Sequence, residues 1–104
     1  MANTIRVRAQ AKDNVTTVKA LITHPMETGQ RKDKKTGKNI PAHFIQEVTA
    51  EHNGNNVMTA HWGTAVSKNP YLSFQFEGGN SGDTVTLAWV DNNGEKDSTE
   101  VKIS

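Results

Sequence analysis

Apolar and polar residues alternate with a period of two along most of this chain. Ile5, Val7 and Ala9 alternate with Arg6, Arg8 and Gln10 within residues 3–11, and Val18, Ala20 and Ile22 alternate with Thr17, Lys19 and Leu21 within residues 14–23. Successive side chains of a strand point to opposite faces, so both segments predict strands, with Lys12-Asp13-Asn14 as the turn between them. HFIQEVTAE, residues 43–51, concentrates β-branched and aromatic side chains (Phe44, Ile45, Val48, Thr49) and predicts a third strand, partly buried on both faces. VMTAHW at 57–62 predicts a fourth. YLSFQFE at 71–77 sets Leu72, Phe74 and Phe76 against Ser73, Gln75 and Glu77, a half-buried fifth strand. TVTLAWV at 84–90, with Val85, Leu87 and Trp89 on one side, predicts a sixth, and a last strand finishes with Val101 and Ile103.

The punctuation between these runs is turn chemistry. Asn53-Gly54 within HNGNN is a strong hairpin signal, GGNSGD at 78–83 is rich in turn formers, and Asp91-Asn92-Asn93-Gly94 predicts a second hairpin. Ser67-Lys68-Asn69-Pro70 reads as a turn before the fifth strand, with Asn69 held extended by Pro70 and the serine hydroxyl bonding nearby backbone. Seven short strands punctuated about every 8 to 12 residues, with no amphipathic helix of useful length, predict an all-β fold, an immunoglobulin-like antiparallel β-sandwich. At 104 residues the chain is of one-domain size, so 1–104 is expected to be a single domain; a fold of this length removes roughly 65% of its unfolded surface from water.

One stretch stands outside the strand pattern. His24 to Ile45, HPMETGQRKDKKTGKNIPAHFI, is long, charged and bracketed by Pro25 and Pro41. Compact domains keep such a segment chiefly where it binds something or moves. Pro25 ends the preceding pairing, because it donates no ladder hydrogen bond. Thr28-Gly29 and Thr36-Gly37 supply places for positive φ, so RKDKK is expected at the tip of a hairpin excursion, with Pro41 at the entrance of the third strand.

Composition narrows the chemistry. With no cysteine there is no thiol nucleophile, thiolate metal site or redox couple in this chain. Twelve Lys and Arg against 11 Asp and Glu leave a net charge of +1, which does not mark a nucleic-acid binder. Arg31, Lys32, Lys34, Lys35 and Lys38 do cluster, but only Phe44 accompanies them as an aromatic, and stacking platforms need more. The first residues lack the apolar core of a signal peptide, and no apolar run reaches the roughly 18 residues of a membrane span. No GxSxG or SxxK framework surrounds Ser67, Ser73, Ser81 or Ser98, which argues against nucleophilic hydrolysis and for a non-enzyme. His43, His52 and His61 recur at intervals of nine and, with His24, raise the alternative of a histidine-based metal-binding domain or enzyme. Surface or edge histidines are the expected reading, with no metal and no cofactor. The rings of Phe44, Trp62, Tyr71, Phe74, Phe76 and Trp89 are expected mostly in the core.

HPMETGQRKDKKTGKNIPAHFI, followed by SKNPYLSFQFEGG and GDTVTLAWVDNNG, resembles the Z subunit of the thiosulfate-oxidising sulfur carrier complex over nearly the whole chain. The pattern is His24-Pro25, then Glu-x-Gly-x-Arg-x-Asp from Glu27 to Asp33, then Ile40-Pro41-Ala42 with an aromatic at Phe44, then Ser-x-Asn-Pro from Ser67 to Pro70. The resemblance implies an immunoglobulin-like sandwich that is not itself an enzyme. It pairs as a heterodimer with a Y subunit, whose mobile carboxy-terminal arm bears the cysteine that carries sulfur intermediates. It also implies transient contacts with other thiosulfate-oxidation enzymes, and a periplasmic location reached by export with a partner that carries the signal peptide. On this reading Met26, Arg31, Ile40, Pro41 and Phe44 are the expected partner-binding residues. Arg31 suits a charge-assisted contact, and the others offer apolar area.

Overall fold

In the computed structural model, which describes residues 4–104, the alternation becomes seven antiparallel strands: β1 (Ile5–Lys12), β2 (Val15–Ile22), β3 (Ile45–His52), β4 (Asn55–His61), β5 (Tyr71–Glu77), β6 (Thr84–Asp91) and β7 (Lys96–Lys102). They form two sheets, ordered β1-β2-β5 and β4-β3-β6-β7. In constant-type immunoglobulin domains the fourth strand belongs with the first, second and fifth. Here it pairs with β3, so the sandwich has three strands facing four.

Strand bounds move from the expected ones by one or two residues, for local reasons. Asp13 and Asn14 both take positive φ (53° and 64°), which makes a two-residue turn of the twist that hairpins favour and leaves Lys12 paired with Val15. Asn3 lies outside the described residues. The Asn53-Gly54 turn forms as expected, with positive φ at both positions. β6 runs one residue further than predicted, to Asp91, which is a buried strand residue as well as the start of a turn.

The inward positions fill the space between the sheets. Ala20 and Ile22 of β2 meet Ile45, Val48, Ala50, Leu87 and Trp89 of the facing sheet, and Val18 packs with Ala9, Val85 and Ile103, all buried. Burying a Val, Leu or Ile side chain is worth about 1.5–3 kcal/mol, and this row is the main stabilising term. Phe74 and Phe76 are only half-buried and Tyr71 is 62% exposed, because β5 is a sheet edge and Tyr71 faces outward on it.

Two bulges shape the four-stranded sheet. Asn56 and Met58 pair with consecutive residues of β3, so Val57 is the extra residue of β4. At the other end Ile45 pairs with Asp91 and Glu47 with Val90, which leaves Gln46 as an extra residue of β3. A bulge turns the strand and re-aims its side chains. This one lies where the chain enters β3 from the long segment between β2 and β3.

Candidate functional site

That segment is a hairpin arm. Glu27 and His43 form an antiparallel bridge, as do Lys32 and Asn39, and the Ile40 N–H donates to the Arg31 carbonyl at 2.7 Å. Asp33 closes the tip: its N–H donates to the Lys38 carbonyl, its carbonyl accepts from Gly37, and its carboxylate accepts from the Lys35 N–H at 2.8 Å. Gly29 and Gly37 take positive φ (86° and 71°) at the two places where the sequence predicted it. At Gly29 a Cβ would also lie 3.3 Å from that of Ala42, so the two sides of the arm approach closely there.

The base of the arm is fixed by side chains from two other parts of the chain, the loop before β5 and the end of β6 with its turn. Asn69 clasps His24 twice: its Oδ1 accepts the His24 N–H at 3.0 Å, and its own N–H donates to the His24 carbonyl at 2.9 Å. Asn69 has φ +51° and is therefore not extended, contrary to the expectation from Pro70. Asparagine tolerates the left-handed region, and here the two bonds to His24 hold it there. Ser67 makes no side-chain hydrogen bond among the described residues, so the clasp falls to Asn69. Asn92 holds the other side of the arm, accepting the Phe44 N–H at 2.8 Å and donating to the Ala42 carbonyl at 2.9 Å.

Between these clasps lies a cluster the sequence did not reveal. Asp91 Oδ2 is 3.0 Å from His24 Nε2 and 2.7 Å from His43 Nε2, while its Oδ1 accepts the N–H groups of Asn93 and Glu95. Both carboxylate oxygens are thus doubly bonded. Burial raises the Asp91 pKa, but the bonds from His24, His43 and the two backbone amides outweigh it, and the carboxyl sits below its ordinary value. The His24 ring stacks edge-on against His43, centroids 4.6 Å apart, and against Trp89 at 5.1 Å. Trp89 Nε1 in turn donates to the Thr4 hydroxyl, which donates to Asp97. A cleft of about 390 Å³, lined by Thr4, Pro25, His43, Trp89, Glu95 and Lys96 among others, opens beside the cluster.

The expectation of surface histidines is corrected at His24, which is 3% exposed. It is buried because Asp91 and the Met26 amide satisfy both ring nitrogens. The residues spaced by nine do not converge: His52 pairs with Asp83 at 2.8 Å, and His61 lies exposed beside Glu47 across β3 and β4.

His24, His43 and Asp91 do place one possible ligand atom each within 4.8 Å of one another. Hydrogen-bond direction decides what they are. Met26 N–H donates to His24 Nδ1 at 3.1 Å, so Nδ1 is the acceptor and the proton of the neutral ring is on Nε2, directed at Asp91. A histidine that ligates metal through Nε2 ordinarily donates from its other nitrogen. Here that nitrogen already receives a donor, so the cluster fits a hydrogen-bonded lock better than a cation site. Among the described residues no hydroxyl bonds to either imidazole.

Of the residues expected to touch a partner, Met26 is buried among Ile5, Ile22, Ile45 and Trp89, and its sulfur accepts the Ile45 N–H. It supports the arm from beneath. Arg31 is exposed and makes two bonds to Glu27 within the arm, which hold the Glu27 carboxyl below its ordinary value. Pro41 is exposed, and Ile40 and Phe44 are half-buried, Phe44 against the core. These three lie on the returning side of the arm. Lys32, Lys34, Lys35 and Lys38 are exposed, without an ion pair among the described residues. Asp91, Asn92 and Asn69 are the site residues that sequence reasoning missed. Only the DNNG turn and the Asn-Pro step hinted at them.

The model of one protein family, sulphur oxidation protein SoxZ, matches residues 5–102. That is nearly the whole chain, which therefore belongs to this family. No curated protein matches it.

Proposed function

From this membership we propose that the chain is the cysteine-free, non-catalytic half of a heterodimeric sulfur carrier complex of thiosulfate oxidation. Its partner is the Y subunit, on whose carboxy-terminal cysteine the sulfur intermediates travel, and the arm helps dock that subunit and the enzymes that act on the cargo. The complex works in the periplasm, where this chain arrives by export with its partner.

The observation that carries this reading is the arm itself. It is a two-sided ladder fixed at its root by Asn69, Asp91 and Asn92, with Pro41 exposed and Ile40 and Phe44 half-exposed on one side and Arg31 already oriented by Glu27. Recognition surfaces gain affinity when their ordering is complete before binding. The absence of cysteine from the sequence fits a partner that supplies the thiol, and the cluster at the root, with every oxygen of Asp91 engaged, fits a supporting role better than a catalytic one.

Co-purification with the Y subunit tests the placement. The Arg31→Ala, Phe44→Ala double variant is expected to lose the partner. Because Phe44 also packs on the core, Pro41→Asp with Arg31→Ala serves as a second variant that spares the interior. Retention of the partner by both variants at wild-type level would overturn the assignment of the arm.

A further inference from the structure

The edges of the two sheets differ in how they are protected. Along β1 the Ala9 carbonyl and the Ala11 N–H bond to Ser104, each at 3.1 Å, which ties that edge to the end of β7, and β1 carries Arg6, Arg8 and Lys12. β7 carries Lys96 and Lys102. β4 is broken by the bulge at Val57, and Asn56 Nδ2 covers the Met58 carbonyl at 3.3 Å. Lysines, bulges and covering contacts are the usual ways of blunting an edge against strand addition.

β5 has none of them. It contains no bulge, no Lys or Arg and no internal proline, and Glu77 is its one charge. Its hydrogen-bond register can be read from its ends. Ile22 N–H donates to the Pro70 carbonyl at 3.0 Å and Gly78 N–H to the Asn14 carbonyl at 2.7 Å, so the even-numbered residues exchange bonds with β2. The N–H and C=O groups of Tyr71, Ser73, Gln75 and Glu77 therefore point away from the sheet, and none has a hydrogen-bond partner among the described residues. On the inner face of the same strand Leu72, Phe74 and Phe76 are only half-buried. An occupant must supply an extended backbone and an apolar side chain at every second position.

β5 is itself such a segment. We propose that β5 is the interface for a second copy of this chain, two β5 strands pairing antiparallel about Phe74 so that their three-stranded sheets become one continuous sheet. Outward-pointing groups must oppose one another, which puts Tyr71 of one copy across from Glu77 of the other and Ser73 across from Gln75. Of the registers that meet this condition, this one engages every outward residue, closing about eight hydrogen bonds. It sets Phe74 on Phe74 and Leu72 on Phe76 in the closer, non-hydrogen-bonded pairs, where side-chain contact is strongest. Like charges do not meet, since each Glu77 faces a tyrosine. The contact closes on itself about a two-fold axis, as the commonest homodimers do. It pairs no residue of the arm and holds whether or not the arm docks a Y subunit.

Sedimentation of the full-length protein over a concentration series, from micromolar to millimolar, tests this. Wild type is expected to shift from monomer to dimer. Ser73→Lys places a charge on the edge, and Gln75→Pro removes one outward N–H without touching the β2 ladder; each should raise the dimer dissociation constant tenfold or more while circular dichroism is unchanged. Because the chain has no cysteine, Ser73→Cys with Gln75→Cys should oxidise to a covalent dimer, and Thr59→Cys on β4 should not. A wild-type chain that stays monomeric throughout, even one that adds a strand of some other protein at β5, overturns the proposal. So does a dimer insensitive to both edge variants or cross-linked equally well through Thr59→Cys.

Discussion

Asp91 ties the root of the arm to the β6–β7 turn through four hydrogen bonds, two to imidazoles and two to backbone amides. Asparagine at this position accepts at one atom only, and its amide would face N–H donors. Asp91→Asn is therefore expected to lose about 3 kcal/mol, read as a fall in melting temperature of roughly 14 °C. The carboxyl titrates below its ordinary 3.8 in the folded chain, so unfolding takes up a proton as pH falls through that region. Its contribution is complete above about pH 4 and disappears as pH falls through the lowered folded value. Melting temperature plotted against pH should lose part of its acid slope in the Asn variant. The same hydrogen-bond pattern, with Met26 N–H on His24 Nδ1, predicts that the purified protein retains no stoichiometric metal. Elemental analysis checks this, and a full equivalent of zinc would reassign the cluster.

At the scale of elements the arm and its root behave as one unit. Asn92→Ala strands the Phe44 N–H and the Ala42 carbonyl, and at about 1–2 kcal/mol for such a loss the Phe44 amide should exchange about tenfold faster or more, while amides in β2 keep their protection. The tip should respond differently. Changing Lys34, Lys35 and Lys38 to serine touches exposed side chains that have no ion partner among the described residues, so stability should move by no more than about 0.5 kcal/mol. Stopped-flow association with an acidic partner should slow, most at low salt. The strands and the arm were legible in the sequence because they depend on local signals: alternation in YLSFQFE, Asn53-Gly54, and the glycines that flank the tip. The β3 entrance and the partners of the histidines were not. Those depend on contacts such as His24 with Asp91, 67 residues apart, and alternation says nothing about which strand ends meet. Asn69 shows the same limit, since the local rule for a residue before proline gave way to a clasp on His24.

The whole molecule is longer than its size requires, 53 Å by 25 Å by 18 Å with a radius of gyration of 15.6 Å, against about 13 Å for a compact chain of this length. Two surfaces are proposed on it. The arm, rooted beside the β6–β7 turn, is the one proposed for the Y subunit and pathway enzymes, and the β5 edge is the one proposed for a second copy. The larger hollow on the outer face of the four-stranded sheet, about 560 Å³ and lined by residues such as Thr49, Ala88, Val90 and Ser98, carries no histidine. The central claim is that this chain presents chemistry it does not itself perform. Native mass spectrometry of the assembly isolated from its source measures that directly. The expected result is a second chain with a cysteine near its carboxy terminus, carrying sulfur-sized mass increments on that chain alone, and this chain at its sequence mass. Recovery of this chain without such a companion, or with the sulfur attached to it, would contradict the claim.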